Sequence, residues 1–222
     1  MSLSKEETSG MPRRVVSLED LAKEISTRLS SKLLVVAIVG PPGSGKSTKA
    51  AMLETDLMGK HGIKVQILPM DGFHYDNAVL RELNLINRKG APETFDFGGL
   101  EAVLMRLVER KEDVAVPVFD RDADLARASA RLVRRDTRVL LIEGNYLVLR
   151  NEPWVRLGKH FDLTVMIECD EQALRRRLMQ RWVDLAHSEE EALRKVEMND
   201  IPNARRVAEE SLPTDFSLAR EC

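Results

Sequence analysis

The stretch GPPGSGKST at residues 40–48 decides the fold prediction. It fits the pattern G-x-x-x-x-G-K-[ST] and lies between an apolar run, KLLVVAIV, and a segment of helical character at 46–58. In that context the backbone N–H groups and the helix N-terminus bind phosphate oxygens. Lys46 would reach the β- and γ-phosphates, and the Ser47 hydroxyl would bind Mg²⁺. The motif predicts a nucleoside triphosphate site made by Gly40, Pro41, Pro42, Gly43, Ser44, Gly45, Lys46, Ser47 and Thr48.

Working outward from this loop, buried strands alternate with amphipathic helices. Continuous apolar runs predict strands at 32–39, 63–70, 138–144 and 162–169, with a weaker final strand in 213–219. The run at 113–119 is predicted as a short edge or connecting strand, because Pro117 cannot donate to a central ladder. Helical periodicity covers 17–30, 46–58, 99–110, 170–183, 188–198 and 203–211. This order predicts an α/β, three-layer P-loop NTPase fold whose sheet is mainly parallel and roughly five-stranded.

Composition limits the class of protein. The chain has 222 residues, 43% of them hydrophobic and 32% charged, with a net charge of −2. This composition predicts a flexible tail at 1–14 and one domain at 15–222. The small net charge does not favour binding to nucleic acid or to an anionic membrane. No apolar run approaches the roughly 20 residues of a membrane span, and two cysteines, Cys169 and Cys222, make no disulfide framework. We expect a cytoplasmic protein, either a monomer or a homodimer.

The segment PMDGFHYDN, residues 69–77, follows a predicted strand and concentrates polar groups. A carboxylate there, Asp71, would face the γ-phosphate and could orient an acceptor hydroxyl and take its proton. His74, Tyr75 and Asp76 would offer donors and acceptors suited to a polyol or sugar. The alternative is a simple Asp-Gly turn with Phe73 in the core. Beside a complete phosphate loop, the catalytic interpretation is favoured.

Together these motifs resemble the phosphoribulokinase/uridine kinase/pantothenate kinase family of P-loop kinases. RKGAPETFD at 88–96 resembles a pantothenate kinase segment, PVFDR at 117–121 a substrate-side segment, and IEGNYL at 142–147 a strand ending in Glu-Gly. RW at 181–182 and NDIPNA at 199–204 are similar to a bacterial subgroup described as fructose transport system kinases or nucleoside-kinase-like proteins. The resemblance covers about residues 33–210.

The resemblance implies ATP and Mg²⁺ as cofactors and a helical lid at about 175–200. In that lid Arg177 and Arg181, four residues apart on one helix face, would act in catalysis together with Asp71 and Lys46. Arg175 and Arg176 are interpreted as solvated. Glu143, with Ser47, is the predicted metal contact, or else a substrate contact. The predicted substrate residues are Asp71, Phe73, His74, Tyr75, Lys89, Phe95, Asp120, Arg121, Glu143 and Asn145.

The predicted function is therefore ATP-dependent transfer of a γ-phosphate to a hydroxyl of a small metabolite: a sugar such as fructose, or a nucleoside or pantothenate-like compound. The alternatives are a regulatory NTPase in which Glu143 activates water and an assembly NTPase without an acceptor; no Asn-Lys-x-Asp motif supports a guanine switch. Two interpretations of NDIPNA stay open. Pro202 could break the helix with Asn203 capping the next one, or Asp200 or Asn203 could contact the nucleotide or lid.

Overall fold

A computed structural model describes residues 14–218. Cys222 and residues 1–13 of the predicted tail lie outside the described residues; Arg14, the last residue of that tail, belongs to a strand. The strands are β1 (Arg14–Val16), β2 (Leu34–Val39), β3 (Val65–Pro69), β4 (Val114–Asp120), β5 (Leu125–Val133), β6 (Val139–Gly144), β7 (Leu163–Ile167) and β8 (Phe216–Leu218). The helices are α1 (Leu18–Thr27), α2 (Lys46–His61), α3 (Asn77–Glu82), α4 (Phe97–Glu109), α5 (Glu171–Asp184), α6 (Glu189–Lys195) and α7 (Ile201–Glu210).

Six strands form one parallel sheet in the order β1-β8-β7-β2-β6-β3. Successive residues of β2 enter different cores: Leu34, Val36 and Ile38 pack with α1 and α2, whereas Val35, Ala37 and Val39 pack with α4. Burial on both faces explains why this strand is apolar at every position. The predicted α/β three-layer class is confirmed, and so is the weak strand in 213–219. The sheet has six strands instead of roughly five because β1, which was not predicted, pairs with β8 at one edge.

β4 and β5 form a separate antiparallel hairpin instead of joining the main sheet. Pro117 sits at the register shift between Val116 and Val118, where its missing N–H breaks no regular pair. β5 was not predicted, because its sequence is mostly exposed and small or charged. The guanidinium of Arg131 on β5 donates to the carbonyl of Ile67 at 2.7 Å, so the hairpin lies beside β3.

The C-terminal helices follow β7. Asp170 caps α5 by accepting from the N–H of Ala173, and Ser188 begins α6 with a capping box. A π turn, Val196–Asp200, then leads directly into α7. Of the two open interpretations of NDIPNA, the one that makes Asn203 a helix cap is wrong. Pro202 lies in the first turn of α7, where a missing N–H is tolerated, and Asn203 is buried inside that helix.

Among residues 14–218, no helix is both long enough and apolar enough to span a membrane.

Candidate active site

The phosphate loop joins the end of β2 to the start of α2. Gly43 and Gly45 have φ values of +78° and +89°, which side chains other than glycine adopt rarely. The N–H of Ser44 donates to the carbonyl of Pro41 at 3.1 Å, so the loop closes on itself, and Gly45 precedes the first turn of α2. Ser47 and Thr48 are exposed in that first turn. The backbone therefore has the conformation that a phosphate loop requires.

Lys46, Ser47 and Glu143 meet at the mouth of this loop. The ammonium of Lys46 is buried and donates to the carbonyl of Pro41 at 3.0 Å. Burial lowers the pKa of Lys46, while the charges of Glu143 and Asp71 oppose that shift. The Ser47 hydroxyl donates to Oε1 of Glu143 at 3.0 Å. Burial, and secondarily Asp71, raise the pKa of the Glu143 carboxyl.

Asp71 lies at the same end of the sheet. β3 pairs with β6 so that Pro69 faces Glu143, and Asp71 follows two residues later in a 3₁₀ turn, Met70–Phe73. Its side chain is 33% exposed, so it does not point into the packed interior. Its carboxylate lies 3.6 Å from the guanidinium of Arg121. The sheet register therefore brings Asp71 and Glu143 together at the phosphate loop.

Aromatic and polar groups lie next to Asp71. The ring of His74 lies 4.0 Å from that of Phe95 and 4.8 Å from that of Phe119, and its Nδ1 is 2.8 Å from the carbonyl of Asp71. Burial lowers the pKa of His74. Tyr75 is half-buried, and its N–H donates to the carbonyl of Thr94. Burial and the rings of Phe95 and Phe119 therefore favour the uncharged form of His74, which forms an aromatic wall with them.

The Lys89 ammonium is bound by the hairpin and α3. It donates to the carbonyl of Asp124 at 2.6 Å and to Oδ1 of Asn77 at 2.7 Å, and it lies 2.9 Å from the carboxylate of Asp124. Asp120, at the end of β4, accepts from the N–H of Ala123 and pairs with a hairpin arginine. Asp124 was missed in the sequence, where nothing marks it as a partner of a lysine 35 residues earlier.

α5 presents its arginines toward the phosphate loop. Nη1 of Arg177 is 3.5 Å from the carbonyl of Gly43 and 3.6 Å from the sulfur of Cys169. One turn later, the guanidinium of Arg181 is half-buried over the indole of Trp182 at 5.1 Å. Within the described part of the chain its Nε has no hydrogen-bond partner. The two arginines thus share the face expected from their spacing, on the phosphate-loop side of α5.

One residue on α5 differs from its interpretation. Arg175 is not simply solvated, because it pairs with Glu171 at 2.8 Å and with Glu197. On the same helix, Nε1 of Trp182 donates to the carboxylate of Asp200 at 2.7 Å. Asp200 therefore contacts the lid segment, as one of the two open interpretations of NDIPNA proposed.

Other predicted substrate residues lie deeper. Phe73 and Phe95 are buried in the core packed against α4, and for Phe73 this is the alternative given with the prediction. Asn145 follows β6, is half-buried and hydrogen-bonds the side chain of Tyr146. The hydroxyl of Tyr146 itself donates to the carbonyl of Gly90 at 2.5 Å. Tyr146 was missed; its position just after a strand ending in Glu-Gly was the available signal.

The residues fit Mg²⁺ by their chemistry. Within residues 14–218, no three His, Cys, Asp or Glu side chains cluster around a metal-sized gap. Mg²⁺ in kinases needs fewer protein ligands, because one or two oxygens hold it while phosphates and water complete the shell. Ser47 and Glu143 provide such oxygens. A cavity of about 460 Å³ opens beside them, lined also by Ala51, Glu54, Gln66, Ile67, Pro69 and Arg131.

This fold and site define a P-loop kinase of small molecules. The chain belongs to the Phosphoribulokinase / Uridine kinase family, whose model matches residues 35–206. It is an ATP-using enzyme of that family, as the match and the relatives indicate.

Three relatives illustrate the family. A crystal structure named "putative fructose transport system kinase", from Silicibacter sp. TM1040, is 38% identical with a TM-score of 0.85, and the match covers 91% of this chain and 98% of that one. "Putative uridine kinase C227.14" of Schizosaccharomyces pombe is 31% identical over 83% of this chain and 82% of that protein. The pantothenate kinase of Enterococcus faecalis is 28% identical over 67% of this chain and 49% of that protein.

Proposed function

We propose that this enzyme transfers the γ-phosphate of ATP, with Mg²⁺, to a hydroxyl of a small metabolite, with a sugar such as fructose as the first candidate. A nucleoside or a pantothenate-like compound is the other acceptor class. The observation that carries the proposal is the half-exposed carboxylate of Asp71 at the strand end that also holds Glu143, beside Lys46 and Ser47. The relatives described above are named as kinases of all three acceptor classes.

Each group has a role in the reaction. The loop N–H groups and Lys46 bind the terminal phosphates, and Asp71 orients the acceptor hydroxyl and takes its proton. Bound Mg²⁺, held by Ser47 and Glu143, would neutralise phosphate charge. Arg177 and Arg181 stabilise the negative charge that develops on the transferred group. The proposed lid at about 175–200 excludes water, whose attack would waste ATP.

Tyr75, Lys89, Asp120, Arg121 and Asn145 are proposed to shape the acceptor side. They are contributed by four separate segments, and the ammonium of Lys89 lies 5.2 Å from the centre of the Phe119 ring in the aromatic wall of His74. Lys89 and Asp120 are fixed by hydrogen bonds to the hairpin, which supports a role in pocket shape. Arg121 is half-exposed beside Asp71, which supports direct contact with an acceptor.

Release of ADP tests the proposal, using MgATP with D-fructose, uridine, pantothenate or D-glycerate as the acceptor. We expect one acceptor class to raise ADP release, and Asp71→Asn to lower that rate by about 10²- to 10⁴-fold. Binding of a non-hydrolysable ATP analogue should persist in that variant. Asp122→Asn, the same change of charge on the exposed hairpin, is the matched control and should keep the full rate. Full activity in Asp71→Asn would contradict the role of the base, and full ADP release without any acceptor would favour an NTPase.

We infer a cytoplasmic location and a monomer or homodimer from composition alone. Sedimentation velocity would distinguish the two oligomeric states.

A further inference from the structure

The π turn Val196–Asp200 carries an asparagine that reaches a distant segment of the chain. Nδ2 of Asn199 donates to the carbonyl of Lys89 at 2.7 Å, across 110 residues of sequence. Asn203, which is buried one turn later, donates to Oδ1 of Asn199 at 3.3 Å and holds the amide in this orientation. π turns are uncommon in proteins, and those that do form are often found at functional sites. The side chain of Asn199 is therefore held in place by Asn203, so its contact with Lys89 is not an incidental surface contact.

The segment that Asn199 holds is the Lys89–Gly90 turn. The hydroxyl of Tyr146 donates to the carbonyl of Gly90, next to the carbonyl that Asn199 uses. Gly90 has a φ of +97°, which makes the turn specific to glycine. The side chain of Lys89 is bound to Asp124 on the hairpin. Three separate elements thus fix one turn on the proposed acceptor side.

The other end of the link is α5. The carboxylate of Asp200, adjacent to Asn199, accepts from Nε1 of Trp182. The guanidinium of Arg181 lies over that indole at 5.1 Å, and the ammonium of Lys195 lies over it at 4.4 Å. A continuous path therefore runs from an arginine on the phosphate-loop face of α5, through the π turn, to the acceptor side.

We propose that Asn199 is a positioning residue that ties the Lys89–Gly90 turn to α5, so that nucleotide binding under α5 sets the geometry of the acceptor site. This inference rests on the proposed function, because it takes residues 74–95 as the acceptor side. By linkage, an acceptor held by the same turn strengthens nucleotide binding by the same factor. Neither Asn199 nor Trp182 touches the reacting atoms.

Hydrogen exchange tests the link without a known acceptor. Asn199→Asp keeps the shape and the oxygen that Asn203 uses but removes the donor to Lys89. Met198→Ala, a change at the 72%-exposed neighbour, is the matched control. With AMP-PNP and Mg²⁺, amides 88–91 should exchange about five- to tenfold more slowly in the native protein and the control, the effect of about one hydrogen bond. Asn199→Asp should lose the slowing at amides 88–91 but should keep the nucleotide-dependent slowing at the phosphate loop. Equal slowing at 88–91 in Asn199→Asp, or none in the native protein, overturns the proposal.

A second variant guards against loss of folding. Trp182→Phe removes the donor to Asp200 and should weaken the same nucleotide-dependent slowing, and the double variant should show no further loss. Additive effects would mean that the two residues act independently, against the proposal. With the acceptor from the panel above that yields most ADP, Asn199→Asp should raise its KM about tenfold with a smaller change in kcat. If no acceptor is found, the proposed function fails while the exchange result stands by itself.

Discussion

Replacing Gly72 by alanine tests how closely the turn carrying Asp71 is packed against the hairpin. A Cβ at position 72 would lie 2.5 Å from the carbonyl oxygen of Pro117 and 2.8 Å from its carbonyl carbon. Both atoms are backbone atoms of β4, so no side-chain rotation can relieve the contact. The 3₁₀ turn and the hairpin must move apart.

The size of the effect follows from these distances. Bringing the closest contact from 2.5 Å to an ordinary 3.4 Å needs a separation of about 0.9 Å. Overpacking of this kind costs about 1–3 kcal/mol, or a fall in Tm of about 2–12 °C for a domain of this size. Asp71 is the adjacent residue, and a misplacement of about 1 Å at a reacting group costs about 10²-fold in rate. A fall in rate of about 10²-fold, or about 2.7 kcal/mol of activation free energy, should therefore accompany the loss of stability.

Thermal unfolding and ADP release measure the two effects. Gly59→Ala is the control, because Gly59 lies within α2 on its exposed face, with nothing within 4 Å of an added Cβ. That change should stabilise the protein by about 0.5–1 kcal/mol and leave turnover unchanged. If Gly72→Ala keeps both the Tm and the kcat/KM of the native enzyme, the close packing of this turn does not position Asp71.

Three further outcomes are expected. Arg177→Ala should lower kcat about 10- to 10²-fold in steady-state kinetics through lost charge stabilisation at the phosphate loop, whereas Arg176→Ala, at an exposed position, should not. Equal effects of the two substitutions on kcat would refute the assignment. Tyr146→Phe should destabilise the protein by about 1–2 kcal/mol in urea unfolding, since it leaves the half-buried carbonyl of Gly90 without its donor. Burial lowers the pKa of His74 below its usual 6.5, so the unfolded chain takes up this proton first as pH falls. Stability should therefore decline below about pH 6.5. His74→Gln should make the urea midpoint depend less on pH between roughly pH 7 and pH 5, and an unchanged dependence on pH in this variant would contradict the reasoning.

The elements that local sequence defines were predictable. β2 is apolar at every position because both faces are buried, and α1 begins at a serine, Ser17, which accepts from the N–H of Asp20. The phosphate loop has the glycine conformations that its pattern requires. The positions of Asp71 and Glu143 at one sheet end also followed, because parallel strands share their carboxyl edge.

What sequence could not provide were contacts between distant segments. β5 is exposed, so no apolar alternation marked it as half of a hairpin. A cap at Asn203 was one open interpretation because Pro202 suggested a break, but the π turn leads directly into α7. The bonds from Asn199 to Lys89 and from Trp182 to Asp200 depend on tertiary packing that no local pattern encodes.

The contact between Arg131 and Ile67 also bears on how the enzyme avoids self-association. β3 is the outermost strand at its side of the described sheet, and an open strand of this kind is a template for pairing with another molecule. Here the guanidinium of Arg131 donates to the carbonyl of Ile67 on β3, and Pro69 on the same strand has no N–H to donate. The hairpin that borders the acceptor side therefore also shields the sheet from intermolecular β-pairing, and substitutions that loosen it should promote aggregation as well as slower catalysis.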